Sequence, residues 1–210
     1  MKTNIDTDRL QNIAKIAKEI VVWIGERSHP EKYASVKDPE LVRDFLYTLD
    51  LLETVLTRFA INTYLTQMAL EQLENSKQVG SLGWEFWQID VEEFFASNLL
   101  ELCYQLSNAW EHLQQLAEKD TAFNILKGTF QKPGDIILAR HKATHFQPGQ
   151  FEGHRLAQQY AILRRPYQIV DGKLEKELAK FTMPKVATLI QDSVKGGYDY
   201  LRQFREATIG

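Results

Sequence analysis

Apolar side chains recur at three- and four-residue steps over most of this chain, the spacing that gathers them on one side of an α-helix. Leu10, Ile13, Ile16, Ala17, Ile20, Val21 and Ile24 predict a first helix, with Thr7 or Asp8 as its cap and a stop between Gly25 and Pro30. Asp38-Pro39-Glu40 places proline at a first helical position and opens a second, with Leu41, Phe45, Leu49, Leu52, Val55, Leu56, Phe59, Ala60 and Tyr64 on one stripe as far as Glu74. A third is predicted from Asp90 to Lys119 on Val91, Phe94, Phe95, Leu99, Leu102, Leu106, Trp110, Leu113 and Leu116. Between the second and third, Asn75 to Gln88 carries Gly80, Gly83, Trp84, Phe86 and Trp87 and reads as a packed loop, whose aromatics would form a contact surface if exposed.

The second half of the chain is more broken. Thr121 to Phe130 reads as a short helix ended by Gly128, and Pro133-Gly134-Asp135 opens another that buries Ile136, Ile137 and Leu138 and stops at Gln147-Pro148-Gly149. A helix over Gln150 to Leu163 and a non-helical insert over Arg164 to Gly172 precede a last helix from Lys173 to Thr208, with kinks expected near Met183 and Gly196. The pattern is all-α. Four to five principal helices without an internal repeat predict an up-and-down bundle rather than a solenoid.

Composition narrows the class. A chain of 210 residues with 44% hydrophobic content is long enough to form one domain with a sizeable core. A net charge of −3 argues against broad adhesion to nucleic acid, so an RNA contact would need a local basic patch. Cys103, the single cysteine, lies in an apolar pattern and has no partner for an internal disulfide. Met1 to Arg9 lacks the apolar run of a signal peptide and no stretch is long enough to cross a membrane, which predicts a cytoplasmic protein.

Arg140-His141-Lys142-Ala143-Thr144-His145 is the one stretch where groups suited to phosphate chemistry converge. Arginine offers a permanent cation with a planar fork of donors, and histidine exchanges a proton near neutral pH. Lys142, Arg155, Arg164 and Arg165, with Lys127, Lys132 and Tyr167, are candidates for a basic face beside it. On an ideal helix Arg140 and His145 lie roughly 140° apart and about 7.5 Å apart along the axis. They share a site only if the helix unravels at His145 or a second protomer supplies a motif.

An Arg-x4-His pair with a polar residue directly after the arginine, here His141, resembles the signature of the HEPN superfamily of helical domains. The resemblance implies a HEPN-like core over roughly residues 38–165 with a C-terminal helical extension over 173–208. It implies a metal-independent endoribonuclease of toxin-antitoxin or anti-phage systems, paired as a homodimer and restrained by an antitoxin or other inhibitor. Arg140 would stabilise the scissile phosphate and His145 would move the proton, with the 2′-hydroxyl of RNA as nucleophile, so that DNA is spared and neither metal nor cofactor takes part.

Blander readings stand beside this one. Arg140 serves equally as an ion-pair residue on a helix flank, and His145 as a histidine favoured by a helix C-terminus. His141, His145 and His154 have a metal-like spacing, with Glu152 the only close carboxylate. Trp23, Trp84, Trp87 and Trp110 read as core or interface residues, and His29 and His112 carry no assignment. The chain has no P-loop, dinucleotide-binding, zinc-finger or serine-hydrolase motif. The alternative function is a non-catalytic helical-bundle module that binds a protein partner.

Overall fold

The computed structural model describes residues 3–77, 84–128, 130, 134–144 and 183–210. Among these there are no strands. The helices are α1 (Thr7–Gly25), α2 (Pro39–Lys77), α3 (Trp84–Lys119), α4 (Gly134–Thr144) and α5 (Met183–Thr208), with short 3-10 turns at Pro30–Tyr33 and Thr121–Phe123. The expected helix over 150–163 and the non-helical insert over 164–172 lie outside the described residues.

The helices α1, α2, α3 and α5 form a ring in which each packs on the next, and α4 lies against α3 and α5. Their shared core holds Ile13, Ile20 and Ile24 of α1, Phe45, Leu52 and Phe59 of α2, Phe95, Leu99 and Leu106 of α3, and Val194, Leu201 and Phe204 of α5. Each such side chain contributes about 2–3 kcal/mol of transfer free energy on burial, which is what makes amphipathic helices of this length stable here. α5 therefore belongs to the bundle itself.

Three boundaries differ from the sequence expectation. The cap of α1 is Asp6 rather than Thr7 or Asp8, because its carboxylate reaches the backbone N–H groups of Asp8 and Arg9 at 2.9 and 3.4 Å. α3 begins at Trp84, not Asp90: the segment after Gly83 keeps helical spacing, and Gln88 donates to Glu92 one turn on at 2.9 Å. After α3, only Thr121–Phe123 is helical, held by Asp120 accepting from Ala122 N–H at 2.9 Å.

The glycine pair of α5 does not interrupt the helix. A Cβ on Gly197 would lie 2.7 Å from Leu99 Cγ, inside any permitted contact, whereas one on Gly196 would meet Ile136 at 3.6 Å. These residues let α5 approach α3 and α4 closely. Met183 is the first residue of α5.

Aromatic clusters fasten the connections. Tyr33, Phe45 and Phe123 form a three-ring cluster, with the Tyr33 and Phe123 centroids each 4.8 Å from Phe45 and 5.8 Å from one another, tying the α1–α2 and post-α3 segments to α2. Trp110, Phe130 and Phe204 meet at 5.0–5.3 Å, and Lys127 N–H donates to Ala207 C=O at 3.0 Å. At the other end Glu92, fully buried, accepts from Thr3 Oγ1, Asn4 N–H and Asn4 Nδ2 at 2.7–2.8 Å, so that one carboxylate holds the N-terminal segment on α3. None of the described helices is long and apolar enough to cross a membrane.

Candidate functional site

α4 buries Ile136 and Ala139 against the bundle, which carries Arg140, one residue further, to the edge of its contact with α3. There Arg140 Nε donates to Glu101 Oε2 at 2.5 Å and Nη2 to Oε1 at 3.4 Å, a fork gripping both oxygens. The guanidinium carbon stands 4.2 Å from the centroid of the Tyr104 ring. Only 14% of the Arg140 side chain is exposed, against 32% for Glu101. The cation is thus neutralised and fixed by two residues of α3, one turn apart. A phosphate reaching the same donors must displace the Glu101 carboxylate.

The motif's other members are placed less fully. His141 and Lys142 continue the backbone of α4, and their side chains lie outside the described residues. His145, Arg155, Arg164 and Arg165 lie outside them entirely, as do His154 and Glu152. Among the described residues no three His, Cys, Asp or Glu side chains gather in a metal-binding group. Glu101 and Tyr104 were not singled out from sequence. Their signal is two polar-tipped residues at i and i+3 beside the apolar register of α3, but only the fold shows that they face α4.

A second feature is larger. Along the outside of α2, Tyr47, Leu51, Thr54, Arg58, Ile61, Leu65, Met68 and Gln72 follow alternating four- and three-residue steps, and along α3 Trp87, Val91, Phe94, Asn98, Glu101, Gln105, Asn108 and His112 do the same. This is the heptad spacing by which a helix presents one seam to another helix. Both stripes face away from the bundle core: Leu65 is 54% exposed, Phe94 63% and Trp87 65%. The sequence pattern put Val91 and Phe94 in the single apolar stripe of α3, but they lie on this second, outward one.

The seam between the stripes is grooved along its length. A 370 Å³ recess is lined by Leu65, Thr66, Ala69, Asp90, Val91 and Phe94, and a 280 Å³ recess beside it by Arg58, Ile61, Asn98 and Glu101 among others. At the far end Asp44, Tyr47, Leu51, Asn108 and His112 line a third, of 270 Å³. The pairing of Tyr47 with His112 and of Ala69 with Asp90 shows α2 and α3 running antiparallel. Their floor is pinned where Asn62 Nδ2 donates to Phe95 C=O at 3.2 Å and Asn98 Nδ2 to Asn62 Oδ1 at 3.3 Å. Glu101 belongs to this face and to the Arg140 pair at once.

No protein-family model, curated protein or solved structure matches the chain.

Proposed function

We propose that the protein is a helical-bundle binding module whose α2–α3 face docks a protein partner. The observation that supports this is the pair of outward heptad stripes, with exposed Ile61, Leu65, Met68, Trp87 and Phe94 clustered at one end. Large apolar side chains at this density on a soluble surface mark an interaction site, and the spacing suits a helical partner. Size-exclusion of the tagged chain from its native cells tests it. The wild type should elute in a complex larger than its 24.3 kDa mass, and Leu65→Lys with Phe94→Lys should return it to the monomer position. Monomer elution of the wild type would count against the reading.

The Arg140 motif supports a second reading, a HEPN-like endoribonuclease acting on RNA, paired as a homodimer and held by an inhibitor. What favours it is a guanidinium fixed at the edge of the α3–α4 contact in an all-helical bundle, on the helix that precedes His145 in sequence. In this reading Arg140 exchanges Glu101 for the scissile phosphate, His145 and His141 handle the proton, and Lys142, Arg155, Arg164 and Arg165 hold the RNA backbone. Purified protein in EDTA should then cut a labelled RNA pool to 2′,3′-cyclic phosphate ends, and Arg140→Ala and His145→Ala should each abolish cleavage. Uncut RNA, with folding intact, would remove this reading.

A further inference from the structure

Resting on the docking reading, we infer that the occupant of the α2–α3 groove is an amphipathic helix with an apolar heptad stripe flanked by Lys and Arg. Charge distinguishes this occupant from others. α2 carries six carboxylates and α3 seven, against three and one Lys or Arg. The rest of the chain is opposite in balance, with 21 Lys and Arg against 15 Asp and Glu once those helices are taken from the totals of 25 and 28. The acidic excess is therefore concentrated in the two helices that form the groove.

At the groove the asymmetry is local. Asp44 and Asp90 line its two ends. Arg58 is the cation among the lining side chains, while the charge of Glu101 is matched by Arg140. A helix laid along the seam buries its apolar stripe between the α2 and α3 stripes and sets its flanks beside these carboxylates. From Leu51 to Met68 the seam is about 25 Å long, which some seventeen residues of helix span.

Two other occupants fit less well. A second copy would oppose one acidic rim with another, and like charges facing across a water-excluding contact cost affinity. Nucleic acid presents phosphates to the same carboxylates, with no cationic row among the described residues to receive them.

The test uses the full chain and three synthetic helical peptides of about 20 residues: a Leu/Ile heptad stripe flanked by Lys and Arg, the same stripe flanked by Glu, and the cationic composition with its stripe scrambled. Binding is read by fluorescence anisotropy at low and high salt, with sedimentation velocity on the protein alone. The cationic amphipathic peptide should bind at least about tenfold more tightly than either control, lose affinity with salt, and bind weakly to Leu65→Ser with Phe94→Ser or to Asp44→Lys with Asp90→Lys. Circular dichroism confirms that the variants fold. Equal binding of the acidic peptide, or a protein dimer dispersed by Leu65→Ser with Phe94→Ser, overturns the cationic occupant and leaves the docking reading standing. Equal binding of the scrambled peptide overturns the groove as its receptor. Failure of all three peptides with a monomeric protein overturns both.

Discussion

Arg140 of α4 and Glu101 of α3 form a two-point ion pair, at 2.5 and 3.4 Å, over the ring of Tyr104. The pair joins the phosphate-motif helix to the acidic α2–α3 face, so the two functional readings make opposite demands on one contact. As a structural clamp it must stay closed, and as part of a ribonuclease site it must open. A double-mutant cycle of Arg140→Ala and Glu101→Ala, followed by urea unfolding, should give a coupling of about 1–2 kcal/mol, between exposed and buried ion pairs because both side chains keep some solvent contact. Additive losses would mean the contact contributes nothing to stability.

The adjacent glycines of α5 should respond oppositely to alanine. Gly197→Ala forces a methyl into Leu99 and should cost about 2–3 kcal/mol, partly recovered when Leu99 is also trimmed to Ala. Gly196→Ala meets Ile136 at ordinary contact distance and gains helix propensity, so it should be neutral or stabilise by up to about 1 kcal/mol. Thermal unfolding of the single variants separates the two, and equal effects would refute the close-packing account.

Glu92 should govern the N-terminal segment. Glu92→Ala leaves the donors of Thr3, Asn4 and buried Gln88 without their acceptor, for a loss of about 2–3 kcal/mol. Glu92→Gln keeps the volume but turns one acceptor into a donor facing Asn4. In both variants the Asn4 amide should exchange its hydrogen faster than in the wild type, while amides in the middle of α3 change little. Unaltered exchange at Asn4 would contradict the latch.

Alkaline pH should destabilise the fold. Burial pushes the Cys103 thiol and the Tyr200 and Tyr33 hydroxyls above their ordinary values of 9.0 and 10.0, outweighing the opposing Ser107 hydrogen bond at Tyr200 and the Arg27 charge at Tyr33. Above about pH 9 the unfolded chain releases protons that the folded chain retains, so stability present below that pH falls as pH rises. Urea midpoints at pH 7.5 and 10 check this, and Cys103→Ala should flatten the decline. The thiol should also resist alkylation until the protein unfolds.

Much of the fold was legible. Ile13, Ile20, Phe45, Leu99 and Leu106 are buried where their spacing put them, because helical period alone selects one face. The packing role of Gly196 and Gly197 was hidden, since sequence does not show that Leu99 and Ile136 cross at that level. Trp87 was read into a loop because glycines precede it, whereas it stands exposed on the first turn of α3. The second stripe of each long helix was hidden for a different reason. In a ring of four helices each member has two neighbours, and which apolar face remains outside depends on assembly, not period. The partner of Arg140 was likewise a tertiary fact, although an ion pair was among the readings.

The docking face itself is tested most directly by a photoreactive amino acid placed singly at Leu65, at Phe94 and, as a control, at exposed Gln203 of α5, with irradiation in the native cells. Because Leu65 and Phe94 are more than half exposed, replacing them should change stability by less than about 0.5 kcal/mol, so the fold remains a fair background. The account predicts a discrete adduct with a second polypeptide from Leu65 and Phe94 and none from Gln203. Adducts at all three positions, or at none, would contradict it.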